Sequence, residues 1–426
     1  MKDVKEKARY RYELADNLLF DYEAVEKHLE KMAAKGWRID KINTNLWKYR
    51  KAKPAKVKYA VTYAPDASVF DPHPTMNQQT LADFCAQAGW VKVGDWSQAQ
   101  VFVNERENPV PIETDEEIRL EVIKKSMKKS WIPANVMLIL LMVFNAWRTI
   151  SRFVKDPVQD LSSYWGLLTL TFMIVATALV SANLIGYFIW FKKSEKSVAA
   201  GGTCTSPRII RLINRWSLPA AVIYFVAIIM AAAGEGAPGA AMYMILYMAG
   251  FLLMVTILSK TKEYLKSRGV SRGKNIAVFV VLDIILAFAM VGALTAFILS
   301  GPGLTADKDP YEPTVKGTFL AERTYGELAD PEIGYEITEI KADWLYDWCF
   351  DKKLNEKLGS MQMKHESLEN PHIWGADAIY ECWIHNRDYT YKWILVKDKY
   401  IVEIWGDDEI AENAVKGGGI LDKLGI

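Results

Sequence analysis

The chain has 426 residues, with 52 Lys and Arg against 51 Asp and Glu, and 51% of it is hydrophobic. A net charge of +1 leaves no bulk electrostatic drive toward nucleic acid, and the length points to two or three domains. The averages conceal a partition: residues 1–130 hold 23 basic and 20 acidic residues, residues 131–303 hold 15 and 6, and residues 304–426 hold 14 and 25. A near-neutral head, a basic apolar middle and an acidic tail of net charge −11 call for three different solvent environments.

An internal repeat organises the head. Ala33-Ala34-Lys35-Gly36-Trp37 returns 53 residues later as Ala86-Gln87-Ala88-Gly89-Trp90. Each copy closes an amphipathic helix: Tyr22, Val25, Leu29, Met32 and Ala33 recur at helical spacing in the first, and Leu81, Phe84, Cys85 and Ala88 in the second. Gly36 and Gly89 suit the left-handed position just past a helix end. A strand precedes each helix, marked by Tyr10 and Tyr12 and then by Val57, Tyr59, Val61 and Tyr63. A hairpin follows each, Trp37–Asp40 with Leu46–Lys51 and Trp90–Gly94 with Gln100–Asn104. The predicted head, residues 1–110, is α+β: strand, helix, strand, strand, used twice, with helices on one face of an antiparallel sheet. Its balanced charge predicts no direct nucleic-acid binding.

Residues 111–130 form a connector. Thr114-Asp115-Glu116-Glu117 reads as a capping box, opening a helix that runs through Leu120, Val122 and Ile123 to Lys124, Lys125, Lys128 and Lys129. Two readings stay open: a solvated spacer whose lysines meet lipid headgroups, or a helix that carries motion between membrane and head.

Residues 131–300 carry five apolar runs, 131–148, 164–191, 216–234, 239–259 and 275–300. Each is close to the roughly 20 residues that cross a bilayer as a helix. Basic residues gather before the first run, between the second and third (from Lys192 to Arg215) and between the fourth and fifth (from Lys260 to Lys274). That distribution predicts a multi-pass cell-membrane protein with its N-terminus in the cytoplasm and its C-terminus outside. Asp283 is the lone charge within 275–303, where a carboxylate costs roughly 2.5–3.5 kcal/mol on insertion scales. Asp283, Asn183 and Tyr224 each lie 8 residues from the cytoplasmic end of their helix, about 12 Å in, and are candidates for an intramembrane polar cluster. A structural role and a proton or ligand site are both open.

Residues 301–316, with Gly301-Pro302-Gly303, Pro310 and Pro313, read as a linker, and residues 317–426 as a small α+β domain. Its predicted elements are a strand Tyr335–Ile340, a helix Ala342–Leu358 with Trp344, Leu345, Trp348 and Cys349 on one side, and a meander Ala378–His385, Tyr389–Val396, Tyr400–Trp405. A short helix follows near Asp408. An extracytoplasmic location permits a disulfide between Cys349 and Cys382, and two separately buried thiols fit as well. His365, His372 and His385 match no ligand spacing, so no metal is expected. Gly234–Gly239 spells a dinucleotide fingerprint without the strand it requires, and no cofactor is expected.

The paired Gly-Trp repeats, the four-lysine entry into the membrane and the Lys397-Asp398-Lys399-Tyr400 hairpin together resemble bacterial membrane proteins of the domain-of-unknown-function family 2812, over about residues 6–145. The resemblance supplies no catalytic residues. It implies a neighbourhood with small winged-helix repressors of the PadR type, and so a regulatory role with a cytosolic protein partner. With the bilayer as its other partner, the chain is expected to be a non-enzymatic transmembrane sensor or regulator. Its outer domain carries enough negative charge to steer a cationic ligand. The alternative is a transporter or transporter accessory subunit using the Asp283 cluster, against which the lack of a visible inverted repeat counts.

Overall fold

The computed structural model describes residues 9–14, 18–42, 46–235, 238–300, 312–329, 332–358, 361–384, 390–406 and 420–426. By its own contacts the chain falls into two units, Met1–Met142, Ala176–Val222 and Ala249–Gly292 in the first, and Val143–Val175, Ile223–Met248 and Ala293–Ile426 in the second.

In the first unit the head follows the repeat. Its first half is β1 (Tyr10–Leu14), α1 (Tyr22–Ala34), β2 (Trp37–Ile42) and β3 (Leu46–Lys51). Its second half is β4 (Lys58–Tyr63), α2 (Met76–Gln87), β5 (Val91–Trp96) and β6 (Ala99–Asn104). Two three-stranded antiparallel sheets form, β1-β3-β2 and β4-β6-β5, where the sequence predicts one. Each hairpin pairs with the strand before its own helix, so each repeat closes its own sheet. Register shifts fall at Ile39/Lys41 in β2 and at Lys92/Gly94 in β5, the same positions of the repeat. A bulge bends its strand, and here both strands bend at once. Trp47 and Trp96 meet edge to face at 5.6 Å between the sheets. Gly36 and Gly89 take φ of +78° and +83°, as a left-handed helix end requires.

The two helices differ. All five predicted apolar residues of α1 are buried, packed with Tyr59, Val61 and Tyr63 of β4. In α2, Cys85 is buried but Phe84 is 65% exposed, contrary to the predicted face. The reason is local: Gln78 turns inward to close a capping box with Thr75, accepting from the Thr75 N–H at 2.9 Å, and this polar contact orients the helix.

The connector helix α3 (Glu116–Ser126) passes through a π-helical turn, Met127–Trp131, into α4 (Ile132–Lys155). Connector and first span are therefore one 40-residue helix, Glu116–Lys155. Asp115 caps it, accepting from the N–H groups of Glu117 and Ile118, so the predicted Thr114 box is replaced by a single carboxylate that reaches both donors. After a short helix α5 (Pro157–Leu161) come α6 (Tyr164–Ala199), α7 (Arg208–Gly234), α8 (Pro238–Ser267) and α9 (Arg272–Ser300). Five helices are long and apolar enough to cross a membrane. They outrun the predicted spans because the basic turns at their ends stay helical.

The second unit contains the C-terminal domain. Its strands are β7 (Thr314–Gly317), β8 (Ala321–Ala329), β9 (Glu332–Ile340), β10 (Lys357–Leu358), β11 (Met361–Gln362), β12 (Lys364–Ser367), β13 (Ala378–Trp383), β14 (Thr390–Lys397) and β15 (Tyr400–Gly406). Seven of them form one antiparallel sheet in the order β12-β13-β14-β15-β9-β8-β7. Helix α10 (Asp343–Leu354) covers one face with Leu345 and Cys349, while Trp344 is 79% exposed, off the predicted packed side. Val158 and Leu161 of α5 join that core. On the other face lie Trp374 and the terminal helix α11 (Ile420–Lys423) through Leu421. The predicted helix start near Asp408, most of the linker and His385 lie outside the described residues.

Candidate functional site

The residues singled out from the sequence do not form one described site. Asn183 in α6 has a buried amide oxygen without a hydrogen bond, and Asp283 in α9 is half-buried. Among the described residues these two share no hydrogen bond. Tyr224 belongs to the second unit, where its hydroxyl bonds Thr171 and its ring meets Phe172 at 5.6 Å. Cys349 and Cys382 are both free, fully buried thiols in one apolar cluster. Burial pushes them up to about 11 and about 12, so they are inert thiols at neutral pH. Among the described residues no group of three His, Cys, Asp or Glu converges as a metal site would need.

What sequence reasoning missed is the joint where the head meets the long apolar helices, all of it in the first unit. The core of the head does not stop at residue 110: Leu120, Ile123 and Met127 belong to it, and so do Tyr187, Trp190 and Cys204. Phe20, fully buried, packs on Tyr187 at 5.2 Å, Trp190 at 4.9 Å and Trp131 at 5.7 Å. Asp21, next in sequence and also buried, pairs with Arg211 of α7 at 2.6 Å. Burial raises the Asp21 carboxyl and Arg211 opposes it, so the pair depends on both members. A second contact joins the head to α9: the Asn275 side chain donates to the Phe70 carbonyl at 3.0 Å, and the Phe70 and Phe279 rings meet at 5.2 Å.

Arg119, on the second turn of α3, is the centre of the joint. It donates to the Glu113 carboxylate at 2.9 Å, to the Glu113 carbonyl at 2.8 Å and to the Glu116 carboxylate. Its guanidinium lies 4.8 Å from the Tyr22 ring centre, a cation–π distance. Tyr22 of α1 donates its hydroxyl to Glu116 at 3.2 Å, and the Cys204 N–H, from the α6–α7 connection, donates to the same carboxylate oxygen at 3.3 Å. Burial pushes the Cys204 thiol up to about 11, with Glu116 adding to the shift. One arginine thus ties together the head helix, the connector, the root of the first long apolar helix and, through Glu116, the α6–α7 connection.

Beside Arg119 the cleft continues along α1 and β4 to Glu26, which accepts one hydrogen bond, from the Val61 N–H at 2.9 Å. Burial pushes Glu26 up to about 7, with the Val61 bond and Arg119 pulling the other way. Burial also raises Glu113 above the usual carboxylate range against the pull of Arg119.

Residues 21–134 match the family described as Protein of unknown function (DUF2812). The DUF2812 segment opens on Asp21, the residue that pairs with Arg211, and runs into the first of the five long apolar helices. The side chains gathered around Arg119 lie inside it (Tyr22, Glu113 and Glu116, with Glu26 nearby), whereas Phe20, Tyr187, Trp190, Cys204 and Arg211 lie outside. No curated protein and no solved structure matches the chain.

Proposed function

We propose that the chain is a non-enzymatic transmembrane regulator, with a cytoplasmic, protein-binding DUF2812 head coupled through membrane helices to an extracytoplasmic domain. The observation that carries this reading is the shared core of the head and its membrane helices. The connections the head packs on, through Cys204, Arg211 and Asn275, are the ones that hold the clustered lysines and arginines. Lys/Arg-rich connections stay in the cytoplasm, which supports a cytoplasmic head. A head held at several points to membrane helices feels any shift among them, whereas a head on a solvated spacer would not. The partner proposed for it is a cytosolic transcriptional regulator of the PadR type, on the resemblance alone; the acidic outer domain is proposed to attract a cationic ligand.

Orientation is tested in the full chain. A reporter active only in the cytoplasm should be active when fused after Lys196 or Lys266 and silent when fused after Thr305. Activity at Thr305 contradicts the proposed topology.

A further inference from the structure

A cavity of about 330 Å³ opens between α1, β4 and the connector. Glu26, Tyr59 and Val61 form one side, Ile112, Glu113 and Arg119 another, and Trp90 lies among them. The size is at the small end of ligand pockets. Charge decides what it can hold. Arg119 is committed to Glu113 and Glu116, and Lys58, half-exposed, lies 3.6 Å from Glu30. Glu26 has only its backbone N–H bond, and among the described residues no cation pairs with it. The cavity therefore presents a carboxylate without a counter-ion, beside further carboxylates and between aromatic and aliphatic walls.

An anion would meet the unpaired Glu26 carboxylate, while the two cations of the lining, Lys58 and Arg119, are engaged by Glu30, Glu113 and Glu116. Among the described residues a divalent metal would lack the three convergent ligands it needs. We propose that this cavity binds a small organic cation, an alkyl- or arylammonium, whose ammonium group pairs with Glu26 and whose apolar body lies along the walls of Tyr59 and Trp90. Arg119 and the Val61 N–H favour the ionised Glu26, and Glu23 and Glu30 oppose it; Lys58, Glu107 and Glu113 line the same cavity, and the buried Tyr63 hydroxyl also interacts with Glu26. An ammonium added to that set favours the ionised carboxylate, so binding near neutral pH releases a proton. A bound cation also spans α1 and the Glu113–Arg119 corner. That consequence rests on the coupling reading above; the binding itself does not.

The test is calorimetric, on the full chain in detergent, with phenethylamine as the probe and 2-phenylethanol as its neutral counterpart. The amine should bind and the alcohol should be weaker by about tenfold or more, the worth of one charge-assisted contact. Glu26→Gln should lose amine affinity by a similar factor while still unfolding in one cooperative transition, and Glu26→Asp, which keeps the charge, should stay within a few-fold of the parent. Affinity at pH 8 should exceed that at pH 6 by about tenfold, the change in ionised fraction of a carboxyl titrating near 7. No amine binding, equal affinity for amine and alcohol, or a Glu26→Gln variant that binds like the parent overturns the proposal. Binding that shows all these dependences while leaving amide exchange at residues 187–205 unchanged upholds the site and overturns the coupling reading instead.

Discussion

Glu26 in the head and Glu403 in the C-terminal sheet are both largely removed from water, yet their carboxyls shift in opposite directions. Burial raises Glu26 to about 7, because among the described residues the Val61 N–H bond and the pull of Arg119 do not offset it. Burial would also raise Glu403, but Lys353 and Lys392 outweigh it and hold the carboxyl well below its usual range. Around Glu403 the charges alternate across the face under α10. Arg323 of β8 pairs with Glu336 of β9, Lys353 drops from α10 onto both Glu336 and Glu403, and Lys392 of β14 joins Glu403 to Glu356. Glu336 and Glu403 are directly opposed across β9 and β15, a like-charge pair made tolerable by Lys353. The tail's network is closed, with each charge answered, and it pins a helix to a sheet. The head's network is open, with one carboxylate left over in a cavity. Depth of burial does not separate these two carboxylates; the count of partners does.

Breaking the closed network should have the largest effect. Lys353→Met leaves two opposed carboxylates under α10 and should destabilise the C-terminal domain by about 3–5 kcal/mol, the range for breaking a buried pair. Hydrogen exchange in β9 and β15 of the full chain measures it, and protection equal to the parent would make the network ornamental.

The pH dependences sharpen the contrast because their signs differ. Glu403 is depressed on folding, so it contributes stability above the ordinary carboxylate range and loses it as pH falls below that range. Glu26 is raised, so the folded head binds the extra proton, and stability falls as pH rises from the ordinary range through about 7. The Glu26 contribution should be on the order of 2 kcal/mol, and Glu26→Gln should flatten it. Unfolding curves of parent and variant between pH 5 and 8 decide; parallel curves would remove Glu26 from the account.

Much of the head was legible in the sequence because its apolar residues keep one period. The buried face of α1 and both hairpins follow from spacing, and the repeat carries even the bulge positions. The tail was less legible. Strands β8 and β9 place Arg323 and Glu336 on a packed face, so their pattern reads as solvent-facing, and the sequence offered only Tyr335–Ile340. The joint was invisible for a different reason. Tyr22 and Glu116 meet across 94 positions, Tyr22 reads only as part of an apolar helix face, and Glu113, Glu116 and Arg119 look, taken singly, like surface charges around a helix start. Asp283 drew attention because a lone carboxylate among apolar residues stands out, whereas Arg119 sits in a charged segment where nothing marks it. The single available signal was the acid-rich first turn of α3, which the capping argument absorbed.

Through Arg119 the head and the apolar helices it packs on should move as one mechanical piece. Hydrogen exchange on the full chain in lipid nanodiscs, comparing the parent with Arg119→Ala, tests it most directly. Removing the guanidinium leaves Glu113 and Glu116 unpaired, a cost of about 1–3 kcal/mol. Exchange should become faster in α1, α3 and residues 200–206 together. A change confined to α3, with α1 and the α6–α7 connection as protected as in the parent, would contradict it.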